Sequence, residues 1–362
     1  MRTSVAAAAK RLDQAQAVAF VLLLARLGRG RQRRPPLSTD ATFEGTISVV
    51  VPARDEAARI GPCLDGLRSD ADLLEIIVVD DGSTDDTAER ARRSGARVVP
   101  AGPPPRGWVG KPWALQRGLE SARGDVVVSL DADTRPAPGL ARALAARLAE
   151  ADLVSAGARF VCDTAGERWL HPALLTTLVY RYGPPDAAGR TRRSRLVING
   201  QCTAVRRETM LAVGYQDAAG HMTDDAALAR GLAARGWRIA FHDAGSLLRV
   251  DMHESGRETW REWGRAIALA DVTAPAWRVA DVAFVWLVLG LPWLRLAAGR
   301  PQRLDWALLA VRCVMLAPLA SSYTRRGAPF WLSPLADVAA AVRLTLSALR
   351  PTRRWRGRVY ER

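Results

Sequence analysis

Asp125-Val-Val-Val-Ser-Leu-Asp-Ala-Asp133 is the stretch on which the reading of the fold turns. The apolar run Val126 to Leu130 reads as a short buried strand, and it ends in two carboxylates, Asp131 and Asp133, one residue apart. Apolar runs of this length bounded by turn signals fit strands of a parallel sheet covered on both faces. In open α/β sheets ligands bind in the crevice outside the carboxyl ends of the strands. Two acids placed there are costly unless positive charge sits between them. A divalent metal carrying a diphosphate supplies that charge, since Mg²⁺ is typically held by one or two carboxylates plus substrate phosphates. Alone, a D-x-D also suits a helix N-cap or a solvated turn, so its neighbours decide.

Upstream, Thr46-Ile-Ser-Val-Val-Val-Pro52 reads as the first strand, stopped by Pro52, which cannot donate to a ladder. A helix is expected from Ala53 onward, with Ile60, Leu64 and Leu67 on one face. Glu75-Ile-Ile-Val-Val-Asp-Asp81 is a second strand that again ends in acids. Ser83 or Thr84 is expected to cap the next helix, which ends near Gly95 ahead of a short strand at 97–99. Strand–helix alternation at this spacing predicts a Rossmann-like, mostly parallel sheet with flanking helices, an α/β fold. Two strong strands ending in carboxylates at one edge make a shared site. Residues 103–113 read as a loop before a helix at 114–122, which puts Lys111 near a helix N-terminus, where it acts as a point charge on phosphate.

Downstream, Pro136 and Pro138 introduce a helix at 139–150, followed by a strand at 153–160. The signals between 159 and 195 are mixed. A strand over 195–207 leads through Asn199-Gly200, a helix follows at 207–213, and Thr223 or Asp224 caps a helix that stops at Gly236. Asp225 then stands at a helix start, where an acid is stabilised. Arg257-Glu-Thr-Trp-Arg-Glu-Trp-Gly-Arg265 places Trp260 and Trp263 on one helical face, as suits a membrane interface.

Three apolar segments, 279–298, 304–319 and 331–349, are each broken by an arginine and a proline. The apolar stretch Ala15–Leu27, short of the roughly 20 residues a span needs, reads as an N-terminal anchor. The basic tail 350–358 and the arginines after residue 28 are expected on the cytoplasmic side. The organisation expected is an anchor and basic linker at 1–40, a catalytic domain at 41–245, interfacial helices at 246–275, membrane helices at 276–349 and a cytoplasmic tail at 350–362. Net charge is +15, nearly all of it arginine, with lysine only at Lys10 and Lys111. Such charge suits an anionic partner. Aromatics do not interleave with basic residues as a single-strand platform requires, so a membrane rather than nucleic acid is expected. Cys63, Cys162, Cys202 and Cys313 lack metal or redox spacing and read as reduced, mostly buried thiols.

Val-Val-Val-Pro-Ala-Arg-Asp-Glu (49–56), Val-Val-Asp-Asp-Gly-Ser-Thr-Asp (78–85), Asp-Ala-Asp (131–133) and Thr-Asp-Asp (223–225), in this order and spacing, resemble the family 2 glycosyltransferases of the GT-A fold. Gly-Trp-Val-Gly-Lys-Pro-Trp-Ala (107–114) and Trp-Arg-Gly-Arg-Val-Tyr (355–360) resemble that family's lipid-modifying branch, with its carotenoid-acid, hopanoid-associated and ceramide glycosyltransferases. The resemblance implies that Pro52, Ala53, Arg54 and Glu56 line the base and ribose pocket, with Asp81 on the base. It places Asp131 on the ribose or diphosphate side, Asp133 on a divalent metal (Mg²⁺ or Mn²⁺), Lys111 on donor phosphate and Asp225 as general base. Asp224, Trp260 and Arg261 are candidate acceptor-side or interface residues. It further implies a bacterial-type cell-membrane enzyme with a cytoplasmic catalytic domain that moves one sugar, with inversion, from a nucleotide sugar to a lipid hydroxyl or carboxylate.

Two departures stand out. Asp55 occupies the family's usual Asn position, and the Gln/Arg-x-x-Arg-Trp signature of processive and ceramide-type members is unmatched, the nearest text being Arg257-Glu-Thr-Trp-Arg261. Transfer of a single sugar is therefore expected. The alternatives are a polyprenyl-phosphate sugar transferase, a nucleotidyltransferase with the same sheet and acids, and a non-catalytic membrane scaffold.

Overall fold

The structure, a computed structural model, describes residues 2–189, 191–264, 267–350, 354–355 and 358–359. The rest of the basic tail lies outside the described residues. The chain divides into two compact units that are not contiguous in sequence. A sheet unit is built mainly from Arg34–Val161 and Gly189–Met252. A helical unit is built from the chain up to Arg33, from Cys162–Ala188 and from His253 onward. The stretch 162–188, inside the expected catalytic domain, thus groups with the helices.

In the sheet unit the strands are β1 Ile47–Ala53, β2 Glu75–Asp80, β3 Arg97–Pro100, β4 Val126–Leu130, β5 Thr134–Pro136, β6 Leu153–Gly157, β7 Arg159–Phe160, β8 Cys202–Arg206, β9 Ile239–Asp243 and β10 Leu248–Val250. The main sheet runs β3-β2-β1-β4-β8-β6-β9, and β5-β10-β7 form a second, small sheet. β3, β2, β1 and β4 are mutually parallel, as are β6 and β9, while β8 runs antiparallel to both neighbours. The strands alternate their apolar side chains between two cores. Val49 and Val51 pack with Leu64 and Leu144 under the helices Ile60–Arg68 and Leu140–Ala146. Val50, Ile77 and Val79 pack with Leu119, Met210 and Leu232 under the helices Gly110–Ser121, Arg207–Val213 and Asp224–Ala234. Both faces are covered, which explains the near-continuous apolar runs.

Several expectations are corrected. β1 continues one residue past Pro52, whose partner is Val79 on β2. Its pairing with β4 has ended at Val50, so the missing N–H costs no hydrogen bond on that side. The helix after β1 begins at Ile60, not near Ala53, because Asp55 takes a left-handed backbone (φ 51°) that breaks helical continuation. Ser83 and Thr84 do not cap the next helix, Thr87–Arg93; they bond the carboxylates of Asp80 and Asp55. The expected single strand at 153–160 is two strands in different sheets, with Gly157 closing β6. The strand expected over 195–207 is ordered only from Cys202. In the helical unit, Ala165–Tyr182 is an 18-residue helix with a Thr164/Glu167 capping box.

Candidate active site at the carboxyl edge of the sheet

Because β2, β1 and β4 are adjacent and parallel, their carboxyl ends share one edge. Pro52 and Ala53 close β1 there, Ala53 buried and Pro52 half-buried. Arg54 follows and turns onto β2: its Nη1 donates to the Asp81 carbonyl at 2.5 Å and lies 3.9 Å from the Asp81 carboxylate. Asp81 is buried and its N–H donates to the Ala53 carbonyl at 2.9 Å. Asp55 ties the two loops together, accepting from the Thr84 N–H at 2.7 Å and donating its own N–H to the Ser83 hydroxyl at 3.0 Å. Asp and Asn share a tolerance for positive φ, so Asp55 preserves the corner that an Asn would make. Glu56, buried, donates its N–H to the Thr87 hydroxyl at 2.8 Å and pairs with Arg59 at 3.0 Å.

The second half of the site comes from β4 and two helix starts. Helix Gly110–Ser121 opens with Gly-Lys-Pro, the proline sitting in the first turn where its missing N–H has no helical partner to lose. This projects Lys111 toward β4, where Nζ meets the two Asp131 oxygens at 2.7 and 2.9 Å and an Asp224 oxygen at 3.9 Å. Asp225, next along, accepts from the Ala226 N–H at 2.7 Å and the Gly200 N–H at 3.4 Å. A shallow open cavity of about 50 Å³ is lined by Val109, Lys111, His221, Met222 and Asp224 among others.

Burial and crowded negative charge dominate the electrostatics. Burial, then the charges of Asp131 and Glu56, push the Asp133 carboxyl up to about 7 against the pull of Arg59 and Lys111. Burial pushes Asp224 up to about 6 despite Lys111, and Asp225 rises for the same first cause, opposed by Lys111 and by its backbone N–H donors. Burial disfavours the Lys111 ammonium, but Asp131 and Asp224 outweigh it and hold the group above its ordinary range.

Asp133 Oδ1 is buried and has no hydrogen-bond partner. An orphaned carboxylate oxygen in an acid-rich pocket has the hardness and charge a divalent cation seeks. Among the described residues no three His, Cys, Asp or Glu side chains gather as a cage. The donor set therefore fits a cation held by one carboxylate with further oxygens supplied by a ligand's phosphates, and not a self-contained protein cage.

The structure thus brings together Glu56, Lys111, Asp131, Asp133, Asp224 and Asp225, while Asp81 pairs with Arg54 at the ends of β2 and β1. Trp260 and Arg261 belong to the helical unit, in a π-helical turn Thr259–Trp263, and are not part of this cluster. Sequence reasoning missed Arg59, Gly200 and His221. Gly200 carried a usable signal, an Asn-Gly pair leading into β8. A Cβ added there would lie 2.7 Å from the Asp225 Cβ. Gly200→Ala is expected to displace the helix start and lower turnover at least tenfold with a melting shift of only a few degrees, read by initial rates beside a thermal melt.

The model of the glycosyl transferase family 2 domain matches residues 48–212. Glucosyl-3-phosphoglycerate synthase of Mycolicibacterium paratuberculosis is 50% identical over 93 residues, 24% of this chain and 28% of that protein. The 4,4'-diaponeurosporenoate glycosyltransferase of Staphylococcus haemolyticus is 39% identical over 107 residues, 28% of each chain. The chain therefore spans less than a third of the length of these curated relatives. A mannosyltransferase of Pyrobaculum calidifontis, solved with GDP-Man and Mn²⁺, superposes with a TM-score of 0.55 over 95% of this chain and 98% of its own at 22% identity, which shows a shared GT-A architecture. The matched domain, the mostly parallel sheet and the acids at its carboxyl edge agree, and residues 48–212 are a family 2 glycosyltransferase domain.

Proposed function

We propose that the sheet unit binds a nucleotide-sugar donor with Mg²⁺ or Mn²⁺ and transfers one sugar, with inversion, to a lipid hydroxyl or carboxylate. The observation that carries this reading is the buried, unpartnered Asp133 Oδ1 at an edge where two parallel strands, β2 and β4, end in acids. The relatives' named activities, on phosphoglycerate and on a carotenoid acid, support sugar transfer as the reaction class. Asp133 would hold the metal, whose charge would offset that gathering on the departing diphosphate. Arg54, Glu56 and Asp81, with Pro52 and Ala53, would form the base and ribose wall, with Lys111 and Asp131 on the diphosphate side. The acceptor oxygen bonds to the anomeric carbon as the bond to the diphosphate breaks. The acceptor proton passes to an acid of the Thr223-Asp224-Asp225 turn, where the resemblance places Asp225. The test is a donor screen by thermal shift and calorimetry with Mn²⁺, followed by mass spectrometry of lipid extracts. No stabilisation by any nucleotide or nucleotide sugar would defeat the reading.

The lipid acceptor and membrane location rest on the helical unit. Among the described residues all but two of the exposed large apolar side chains, Leu74 and Leu211, belong to it. Four of them are tryptophans, Trp169, Trp277, Trp306 and Trp331, the residue enriched where bilayer meets water. Among the described residues Pro275–Ala297 is the helix long and apolar enough to cross a membrane. The surplus of arginine supports an anionic leaflet as the surface. Aspartates placed together at Val18, Val21 and Leu22, all exposed on the N-terminal helix, are expected to reduce co-sedimentation with phosphatidylglycerol-containing vesicles at least tenfold.

A further inference from the structure

We propose that Asp85 is a positioning residue for the donor: with Asp55 it forms a reciprocal clasp that sets the turn carrying Arg54 and Glu56 against the turn carrying Asp81. The inference rests on the sugar-transfer reading, which puts those three residues on the base and ribose wall. Residues 55–57 lie between the end of β1 and the helix that starts at Ile60, so their N–H groups have neither a ladder nor a helical turn to bond. Three in a row find side chains of the turn after β2 instead. Asp55 donates to the Ser83 hydroxyl at 3.0 Å, Glu56 to the Thr87 hydroxyl at 2.8 Å and Ala57 to the Asp85 carboxylate at 3.0 Å. The exchange also runs the other way, since the Asp55 carboxylate accepts from the Thr84 N–H at 2.7 Å and the Thr84 hydroxyl at 3.1 Å. Each turn thus sends one carboxylate into the backbone of the other.

Asp85 fixes the part of the clasp nearest Glu56. Besides Ala57, its carboxylate accepts from the Thr87 N–H at 3.0 Å and from the Thr87 hydroxyl. A hydroxyl has one hydrogen to give. With that hydrogen committed to Asp85, the Thr87 oxygen is turned to accept from Glu56. Thr87 is fully buried, so water offers no substitute. Desolvation raises the Asp85 carboxyl, but the Thr87 and Ala57 donors outweigh it and hold the group below its ordinary range, because donors favour the charged form. Without Asp85 the Ala57 N–H loses its acceptor and the Thr87 hydroxyl is free to rotate away from Glu56. The turn, which already contains the left-handed Asp55 (φ 51°), would then have to be ordered by the arriving nucleotide. That ordering weakens binding. An interaction made equally with bound donor and with the reacting donor shows in KM and not in kcat.

The experiment uses the full chain with Mn²⁺, calorimetry with UDP and GDP, and nucleotide release from UDP-glucose or GDP-mannose with water as acceptor. Asp85→Ala is expected to weaken the Kd of the nucleotide that the parent binds at least tenfold, raise donor KM as much and keep kcat within threefold. Thr87→Val, which keeps the shape and removes the hydroxyl, is expected to do the same, while Thr87→Ser stays within threefold of the parent; this pair decides the matter if Asp85→Ala does not fold. Asp70 serves as the control. It is buried and its carboxylate accepts from the Gly139 N–H at 2.9 Å, a bond of the same kind outside the site. Asp70→Asn is expected to lower the melting temperature and leave Kd within twofold. Asp85→Ala and Thr87→Val proteins that melt lower yet keep Kd within twofold overturn the proposal, as does an Asp70→Asn protein that loses as much affinity as they do. Failure of the unsubstituted protein to bind either nucleotide would instead strike the sugar-transfer reading itself.

Discussion

Asp133→Ala will abolish Mn²⁺-dependent nucleotide binding and cut sugar transfer by about 10³-fold or more, because metal charge stabilisation is worth several kcal/mol. Calorimetry with UDP and GDP, with and without Mn²⁺, reads the first effect; nucleotide release reads the second. Equal heats for variant and parent in Mn²⁺ would remove Asp133 from metal binding. The near-isosteric Asp133→Asn separates site from fold. In the folded protein burial, with Asp131 and Glu56 beside it, pushes the Asp133 carboxyl up to about 7, against about 3.9 for an unfolded aspartate. Between those values the folded chain binds more protons than the unfolded one, so this group's contribution falls as pH rises from about 4 to 7 and stays low above. In EDTA, Asp133→Asn is therefore expected to melt higher than the parent at pH 8, with the gap closing toward pH 4. Addition of Mn²⁺ and the donor nucleotide should reverse the order, since only the carboxylate holds the cation.

Lys111→Met is the second large effect. The ammonium bridges Asp131 and Asp224, and removing it leaves two half-buried acids without their cation. Breaking buried pairs costs about 3–5 kcal/mol; with side chains 20% and 24% exposed for Lys111 and Asp131, about 1–3 kcal/mol is expected after solvent screening. Asp224, pushed up to about 6 by burial even beside the lysine, binds its proton more tightly without it, so the deficit should be largest at pH 8 and shrink as pH falls through about 6. Diphosphate affinity should drop at least tenfold, and Lys111→Arg should recover stability better than affinity. An unchanged melt at pH 8 would show that the bridge carries no weight.

How far these residues were legible differs between them. The ends of β2 and β4 stood out because buried parallel strands read as apolar runs and acids interrupt them abruptly, and the end of β1 stood out at Pro52. Lys111 stood out as one of two lysines, yet its pairing with Asp131 and Asp224 did not, since their approach depends on where two helices land on the sheet. The reversed direction of β8 was invisible because pairing direction is decided by connections, not by local text. The helix Ala165–Tyr182 escaped because Pro172 lies inside it and because it buries polar His171 and Arg181 along with its apolar residues, which blurs the helical period. The start of the helix after β1 was misplaced because a single left-handed residue, Asp55, overrides an otherwise helical pattern.

The interleaving of the two units bears on how the protein can be handled. A truncation spanning 34–252 carries Cys162–Ala188 away from the helices it is grouped with. Leu170, Ala173, Leu174 and Tyr180, all buried in the helical unit's core, would then meet water as an orphaned greasy rod. A soluble catalytic fragment calls for excision of that insert and a designed bridge from Val161 to Gly189, and trimming the termini alone invites precipitation.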